Sequence, residues 1–215
     1  MLILGIVAVA AYLLGSLNAS IIISNLKGSD IRKHGSGNAG ATNMLRTYGK
    51  KLAVAALLFD ALKGVLAVLV ANLILNAQGY TPAMPLYHYI RCAAGLLVVI
   101  GHNYPIFFKF KGGKGIATSA AVIFMLDWRV GIIVLVLALA TMAITKYVSL
   151  GSIVGAITFP SAIAVFTFLI DKDYNYIVFV TAVIMCALAV GRHHTNIKRL
   201  IKGTESKLGS KKKEA

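Results

Sequence analysis

Acidic side chains are scarce here. Seven Asp and Glu residues occur among 215, at positions 30, 60, 127, 171, 173, 205 and 214. None form a DxxD pair, so a magnesium–diphosphate site of the prenyl-transfer kind has no ligands. The two cysteines, Cys92 and Cys186, lie in or beside apolar stretches, which leaves no disulfide framework and no Cys/His metal pattern. No histidine has an aspartate five residues further on, which removes the H-x4-D pair of one common acyl-transfer mechanism. No G-x-S-x-G elbow is present either. Charged residues of both signs make up 13% of the chain, about half the share of a soluble domain. An ordinary water-soluble domain is therefore a poor description.

What fills the chain instead is hydrocarbon: 58% hydrophobic residues and a mean hydropathy of +0.80, in blocks rather than in alternation with polar residues. A bilayer span needs about 20 mostly apolar residues. The candidates are Leu2–Ile23, Leu52–Leu75, Ile90–Ile100, Ile116–Leu126, Val130–Thr145, Ile153–Ile170 and Tyr174–Val190. The first lacks the basic start and cleavage site of a secretory signal and is read as retained. The stretch 116–145 is too long for one untilted helix. Asp127, Trp128 and Arg129 divide it, with Trp128 as an interface anchor. The expectation is one all-α, polytopic integral membrane domain over residues 1–215, with about seven transmembrane helices and a basic tail from about 204 to 215.

A net charge of +15 raises nucleic acid as a partner, but the basic residues are tied to helix ends, as in membrane proteins, and no nucleic-acid partner is expected. With seven spans, the connections Asn25–Lys51, Gly101–Gly115 and Lys146–Ser152 and the tail from Gly191 share one side. That side holds 18 of the 22 Lys and Arg residues. Such an excess marks the cytoplasm, so the N-terminus is expected outside, the C-terminus in the cytoplasm, and the protein in the cell (inner or cytoplasmic) membrane.

Those connections carry the polar chemistry. The first, Ser29–Arg46, reads SDIRKHGSGNAGATNMLR. Its glycines let backbone N–H groups approach an anion, while Ser36, Asn38, Thr42 and Asn43 add side-chain donors. Arg46 can grip phosphate through two N–H groups. The second, Gly101–Gly115, reads GHNYPIFFKFKGGKG, with Lys114 among Gly112, Gly113 and Gly115 just before an apolar helix. A glycine turn at a helix N-terminus favours an anion. It is not an ATP-binding Walker A loop, because Phe108 and Gly115 stand where that motif needs Gly and Ser or Thr. The third, KYVSLGS at Lys146–Ser152, joins the tail GRHHTNIKRLIKGTES at Gly191–Ser206. There His193 and Asn196 share a face if helical, and an imidazole can donate to an oxyanion or take a proton. Asp60 and Lys63, three apart inside the second span, read as a structural ion pair. Three anion-suited loops on one side favour an enzyme over a transporter of a phosphorylated metabolite, which would thread polar residues along several spans.

Together GSGNAGATNMLR, GHNYPIFFKFKGGKG, KYVSLGS and RHHTNIKRLIKGTE resemble, in order and across nearly the whole chain, the bacterial acyl-phosphate:glycerol-3-phosphate acyltransferase family of the PlsY type. The resemblance implies acyl transfer to the 1-hydroxyl of glycerol 3-phosphate with no covalent enzyme intermediate, no cofactor and no metal. Acyl phosphate, glycerol 3-phosphate and membrane lipid are the implied partners, with a soluble acyl-phosphate synthase as supplier. It places Ser36, Asn38, Thr42, Asn43, Arg46, Lys114, His193 and Asn196 around the two phosphates. Gly112, Gly113 and Gly115 would serve acyl phosphate, and either Ser149 or Ser152 would be the serine of the third motif. Gly15–Asn18 reads GSLN where the family carries GSIP, which leaves the local bend without its proline.

Overall fold

The computed structural model describes residues 2–172 and 176–209; part of the basic tail, Lys211–Lys213 included, and the Tyr174 start of the last expected span lie outside them. Among the described residues the regular structure is entirely helical. The helices are α1 (Leu2–Ser16), α2 (Ala19–Leu26), α3 (Ala41–Tyr48), α4 (Lys50–Ala77), α5 (Pro85–Asn103), α6 (Ile116–Leu126), α7 (Trp128–Thr145), α8 (Val148–Ala164, continued by a π-helical stretch Val165–Ile170), α9 (Tyr176–Arg192) and α10 (His194–Ile201). Four runs are each long and apolar enough to cross a bilayer: Lys50–Ala77, Pro85–Phe108, Trp128–Thr145 and Val148–Ile170. The bent pairs α1+α2 (41°) and α9+α10 (59°) raise that number to six, and α6 is a further apolar helix of 11 residues. The protein is a multi-pass membrane protein.

The side chains are distributed as lipid solvation requires. On α4, Ala53, Ala56, Gly64, Ala67 and Ala71 face inward, while Leu58, Leu62 and Leu73 are exposed. Lipid tails are as apolar as leucine, so small residues that let backbones approach hold such a bundle together. The α1–α5 crossing depends on this. A methyl group on Gly15 would lie 2.2 Å from the Val98 carbonyl oxygen, and one on Gly101 would lie 2.3 Å from that of Tyr12.

Two breaks bear on the site. The stretch 116–145 is divided at Asp127, whose extended backbone ends α6 and whose carboxylate accepts from the Arg129 N–H at 2.9 Å. Helix α7 then folds back on α6, so that a methyl group on Gly131 would lie 2.7 Å from the Phe124 ring. At the same end of the bundle Arg129 also pairs with Asp171 at 2.5 Å. The second break falls in GSLN. The chain bends there without proline, because Asn18 caps α2: its side-chain oxygen accepts from the Ile21 N–H at 3.1 Å. A cap replaces the missing ring as the cause of the bend.

At the other end the connections interlock. Arg32 donates to the Phe108 and Lys111 carbonyls at 2.9 and 3.0 Å, which ties the first loop to the second. The Leu208 N–H donates to the Lys146 carbonyl at 2.7 Å, which ties the tail to the α7–α8 turn. Beneath the first loop Ile21, Ile31, Ala39, Met44 and Ala56 form a small apolar cluster of their own. The Gly-rich segment 35–43 thus rests on a solid floor rather than hanging as a linker.

Candidate active site

The second loop supplies the central cation. It leaves α5 through Asn103 and turns through Lys109 and Phe110, both at positive φ. It then returns along the end of α5: the Gly112 N–H donates to the Asn103 carbonyl at 3.2 Å and the Gly113 N–H to the His102 carbonyl at 3.1 Å. Gly115, at φ +73°, starts α6. The N–H groups of Gly112 and Gly113 are therefore occupied. These glycines are required by space, since methyl groups there would meet backbone oxygens at 2.1 and 2.4 Å. The donors left for an anion are the first-turn N–H groups of α6 and Lys114.

Lys114 reaches across the loop mouth to the side-chain oxygen of Asn196 in the first turn of α10. Burial pushes its ammonium down to about 8. The Glu205 charge opposes that shift, and Arg199, Arg192 and Arg46 add to it. Three arginines close enough to act on one lysine describe a pocket of concentrated positive potential. An anion entering it raises the Lys114 pKa again.

Glu205, which sequence reasoning passed over, organises the tail side. Its carboxylate accepts from Ser149 (2.7 Å) and Asn196 (2.7 Å) through one oxygen, and from Arg199 (2.6 Å) through the other. Burial pushes its pKa up, but those donors outweigh it and hold the group below the usual carboxylate range. The signal was a lone carboxylate in a basic run, KRLIKGTESK. Arg192, read only as part of the charge excess, donates to the Gly112 and Gly113 carbonyls at 3.1 and 2.8 Å and clamps the glycine turn to the end of α9.

His193 lies buried in the turn between α9 and α10. Its Nδ1 is 2.8 Å from the Ala189 carbonyl, which can only accept, so Nδ1 carries the proton and Nε2 a lone pair. Burial and the Lys114 charge push the ring down to about 4, against the Ala189 bond and Glu205. A neutral imidazole held in that tautomer accepts at Nε2 and cannot donate there.

The remaining sequence candidates separate. Ser149 meets Glu205, whereas the Ser152 hydroxyl turns back to the Val148 carbonyl at 2.9 Å and lines an apolar cleft. Asn43 is buried and fully engaged. It accepts from the Ser36 N–H at 2.9 Å and donates to the Ile31 and His34 carbonyls at 3.2 and 3.0 Å, so it shapes the first loop from within. The side chains of Ser36, Asn38, Thr42 and Arg46 make no hydrogen bond to the other described residues and keep their donors available. The cleft, about 690 Å³ with its opening, begins at Ile116 and Ala189, directly behind the polar groups, and runs between α6, α7, α8 and α9 to Phe124 and Phe159.

Cationic groups at the start of α6 beside a hydrocarbon-lined cleft suit a molecule with an anionic head and an apolar tail. The model of the family described as "Glycerol-3-phosphate acyltransferase" matches residues 5–203. The chain belongs to that family. The glycerol-3-phosphate acyltransferase of Thermoanaerobacter sp. (strain X514) is 45% identical over 206 residues, 95% of each chain. That of Clostridioides difficile (strain 630) is 41% identical over 96% of each. Among solved structures, the glycerol 3-phosphate form of PlsY (YgiH), an integral membrane glycerol 3-phosphate acyltransferase, superposes with a TM-score of 0.82 at 36% identity over 96% of both chains. Its lysophosphatidic acid form gives 0.78. As a family member the chain is a membrane-embedded glycerol-3-phosphate acyltransferase, and the loops just described are where its polar chemistry is concentrated.

Proposed function

We propose that the protein transfers an acyl group from an acyl phosphate to the 1-hydroxyl of sn-glycerol 3-phosphate, giving 1-acyl-glycerol 3-phosphate (lysophosphatidic acid) and inorganic phosphate. The observation that carries this reading is Lys114 at the start of α6, on which the charges of Arg46, Arg192 and Arg199 act, with the apolar cleft beginning at Ile116 two residues on. Two phosphates repel one another, and holding both is the first task of such an enzyme. Lys114, Arg46 and the first-turn N–H groups of α6 neutralise them, while Ser36, Asn38, Thr42 and the second amide N–H of Asn196 add oriented donors, and Ser149 holds Glu205 in place. The glycine–lysine turn takes the acyl phosphate and leads its chain into the cleft.

Acyl phosphate is a mixed anhydride, so no covalent enzyme intermediate is needed. The hydroxyl oxygen forms a new C–O bond at the acyl carbon, the carbonyl-to-phosphate C–O bond breaks, and the departing phosphate takes the hydroxyl proton. Neutral His193 accepts a hydrogen bond from the attacking hydroxyl at Nε2, and Asn196, fixed between Lys114 and Glu205, holds the reacting groups in line. Glu205 acts by positioning, since its oxygens already accept three hydrogen bonds.

In this reading the chain crosses the membrane seven times, with α1+α2 and α9 as crossings and α6 as a short one that lines the site. The N-terminus is outside, and the site faces the cytoplasm of the cell (inner) membrane, where a soluble acyl-phosphate synthase delivers the donor. The positive-inside count supports that sidedness.

The deciding assay gives purified protein palmitoyl phosphate and glycerol 3-phosphate. Phosphate release should require both, and palmitoyl phosphate alone should leave no acylated protein. Release that ignores glycerol 3-phosphate overturns the reading. A second expectation concerns the cleft. From Ile116 to Phe124 it follows α6 for roughly 12 Å. Its walls are no more apolar than lipid tails, so it supplies placement rather than affinity. Ala120→Phe, midway along it, should lower kcat/KM for palmitoyl phosphate about tenfold or more and spare a short-chain acyl phosphate. Equal losses on both donors would remove the chain from this cleft.

A further inference from the structure

Helix α4 buries two charges that the proposed chemistry does not use. Lys63, 2% exposed, pairs with Asp60 at 2.9 Å. Its ammonium also donates to the Gly15 and Leu17 carbonyls at 3.0 and 2.9 Å, at the break between α1 and α2, and lies 2.9 Å from His102 Nδ1, which is itself 3.4 Å from Asp60 Oδ1. Four polar neighbours around one ammonium are more than an ion pair needs, and each belongs to a segment that leads to the site. The carbonyls that end α1 are the negative pole of that helix, so a cation there fixes where the helix stops. The next residue, Asn18, donates to the Ala39 carbonyl of the first loop at 3.3 Å. His102 holds the Gly113 N–H through its own carbonyl. Its ring fills the space beside Gly113, where a methyl group would lie 2.2 Å from Nε2. Asp60 completes the set: its carbonyl accepts from Thr118 in the first turn of α6 at 2.8 Å.

We infer that Lys63, with Asp60 and His102, is a positioning residue for the acyl-phosphate half of the site: it locks the α1–α2 break, the end of α5 and the start of α6 in one register. The inference rests on the acyl-phosphate reading of the glycine–lysine turn. His102 Nδ1 lies 2.9 Å from the Lys63 ammonium and 3.4 Å from Asp60 Oδ1, while Nε2 faces the seam between the first loop and that turn. The buried pair thus sets the place of the ring.

The test separates this from a merely structural pair. Lys63→Met leaves Asp60 buried and unpaired, and the loss of fold it invites says nothing about positioning. Lys63→Met/Asp60→Asn removes both charges. As purified full-length protein it should unfold near the wild-type temperature yet show a KM for palmitoyl phosphate about tenfold higher, with the KM for glycerol 3-phosphate within about twofold. His102→Leu should reproduce that split, and His102→Asn, which keeps a polar group near the Nδ1 position, should recover part of it. A folded double variant or a folded His102→Leu with an unchanged KM for palmitoyl phosphate overturns the inference. Equal rises in both KM values do so as well. If the double variant does not fold, His102→Leu decides. Wild-type turnover of palmitoyl phosphate, measured alongside, tests the underlying reading separately.

Discussion

Replacing Lys114 by alanine is expected to lower kcat/KM by about 10²–10³, the usual cost of removing one preorganised donor from a site where negative charge collects. The fold should survive. Lys114 is only partly buried, and its one hydrogen-bond partner among the described residues, Asn196, remains held by Glu205. The same residue predicts a pH dependence. With its pKa lowered to about 8 by burial, Lys114 is the charged form below that pH and loses the charge above it. Wild-type kcat/KM should therefore fall on the alkaline side with one deprotonation near pH 8. The limb in kcat should lie higher, because bound phosphate favours the ammonium. Lys114→Arg, always charged, should abolish that limb even if its level is low, since a planar fork does not reproduce a compact ammonium. A wild-type limb that persists unchanged in Lys114→Arg assigns the titration elsewhere. Removing the Lys114 charge should also raise the pKa of His193, which it now helps hold at about 4.

The sequence was informative wherever composition alone determines structure. Apolar blocks became helices, and Asp127 ended α6 as its side-chain chemistry requires, because an aspartate can cap the next helix while a leucine cannot. The family followed from four short blocks in order. What the sequence hid were pairings across long separations. Nothing near Glu205 tells that its oxygens take Ser149, 56 residues earlier, and nothing near Arg192 tells that it clamps carbonyls 79 and 80 residues away. Residue type also misleads when a donor is already engaged. Asn43 and Asn38 look alike in a Gly-rich run, yet Asn43 is buried and holds its own loop while Asn38 keeps its amide available. Ser149 and Ser152, three apart on α8, could be separated only by what lies opposite each: a carboxylate in one case, a hydrocarbon cleft in the other. The bend at Gly15–Asn18 is the converse. Its proline is absent, and a cap by Asn18 performs the same task through a different physical cause.

Gly113→Ala should act almost as strongly as the loss of Lys114, by displacement rather than by charge. The added methyl would lie 2.2 Å from His102 Nε2 and 2.4 Å from the Ala39 carbonyl. Neither neighbour can yield easily. The His102 ring is held by Lys63, and the Ala39 carbonyl, in the floor of the first loop, accepts from Asn18. The glycine turn must then move, by about 1 Å to restore ordinary contact, and a misplacement of that size costs on the order of 10²-fold in a site built on alignment. Because the turn carries Lys114 and opens α6, the loss should appear first as a raised KM for acyl phosphate, with the KM for glycerol 3-phosphate little changed. Gly191→Ala is the control: a methyl group there meets nothing within 4 Å, and its kinetics should match wild type. An unchanged KM for acyl phosphate in Gly113→Ala would detach that substrate from the glycine–lysine turn. A rise in both KM values would mean instead that the first loop, through Ala39, had moved with it.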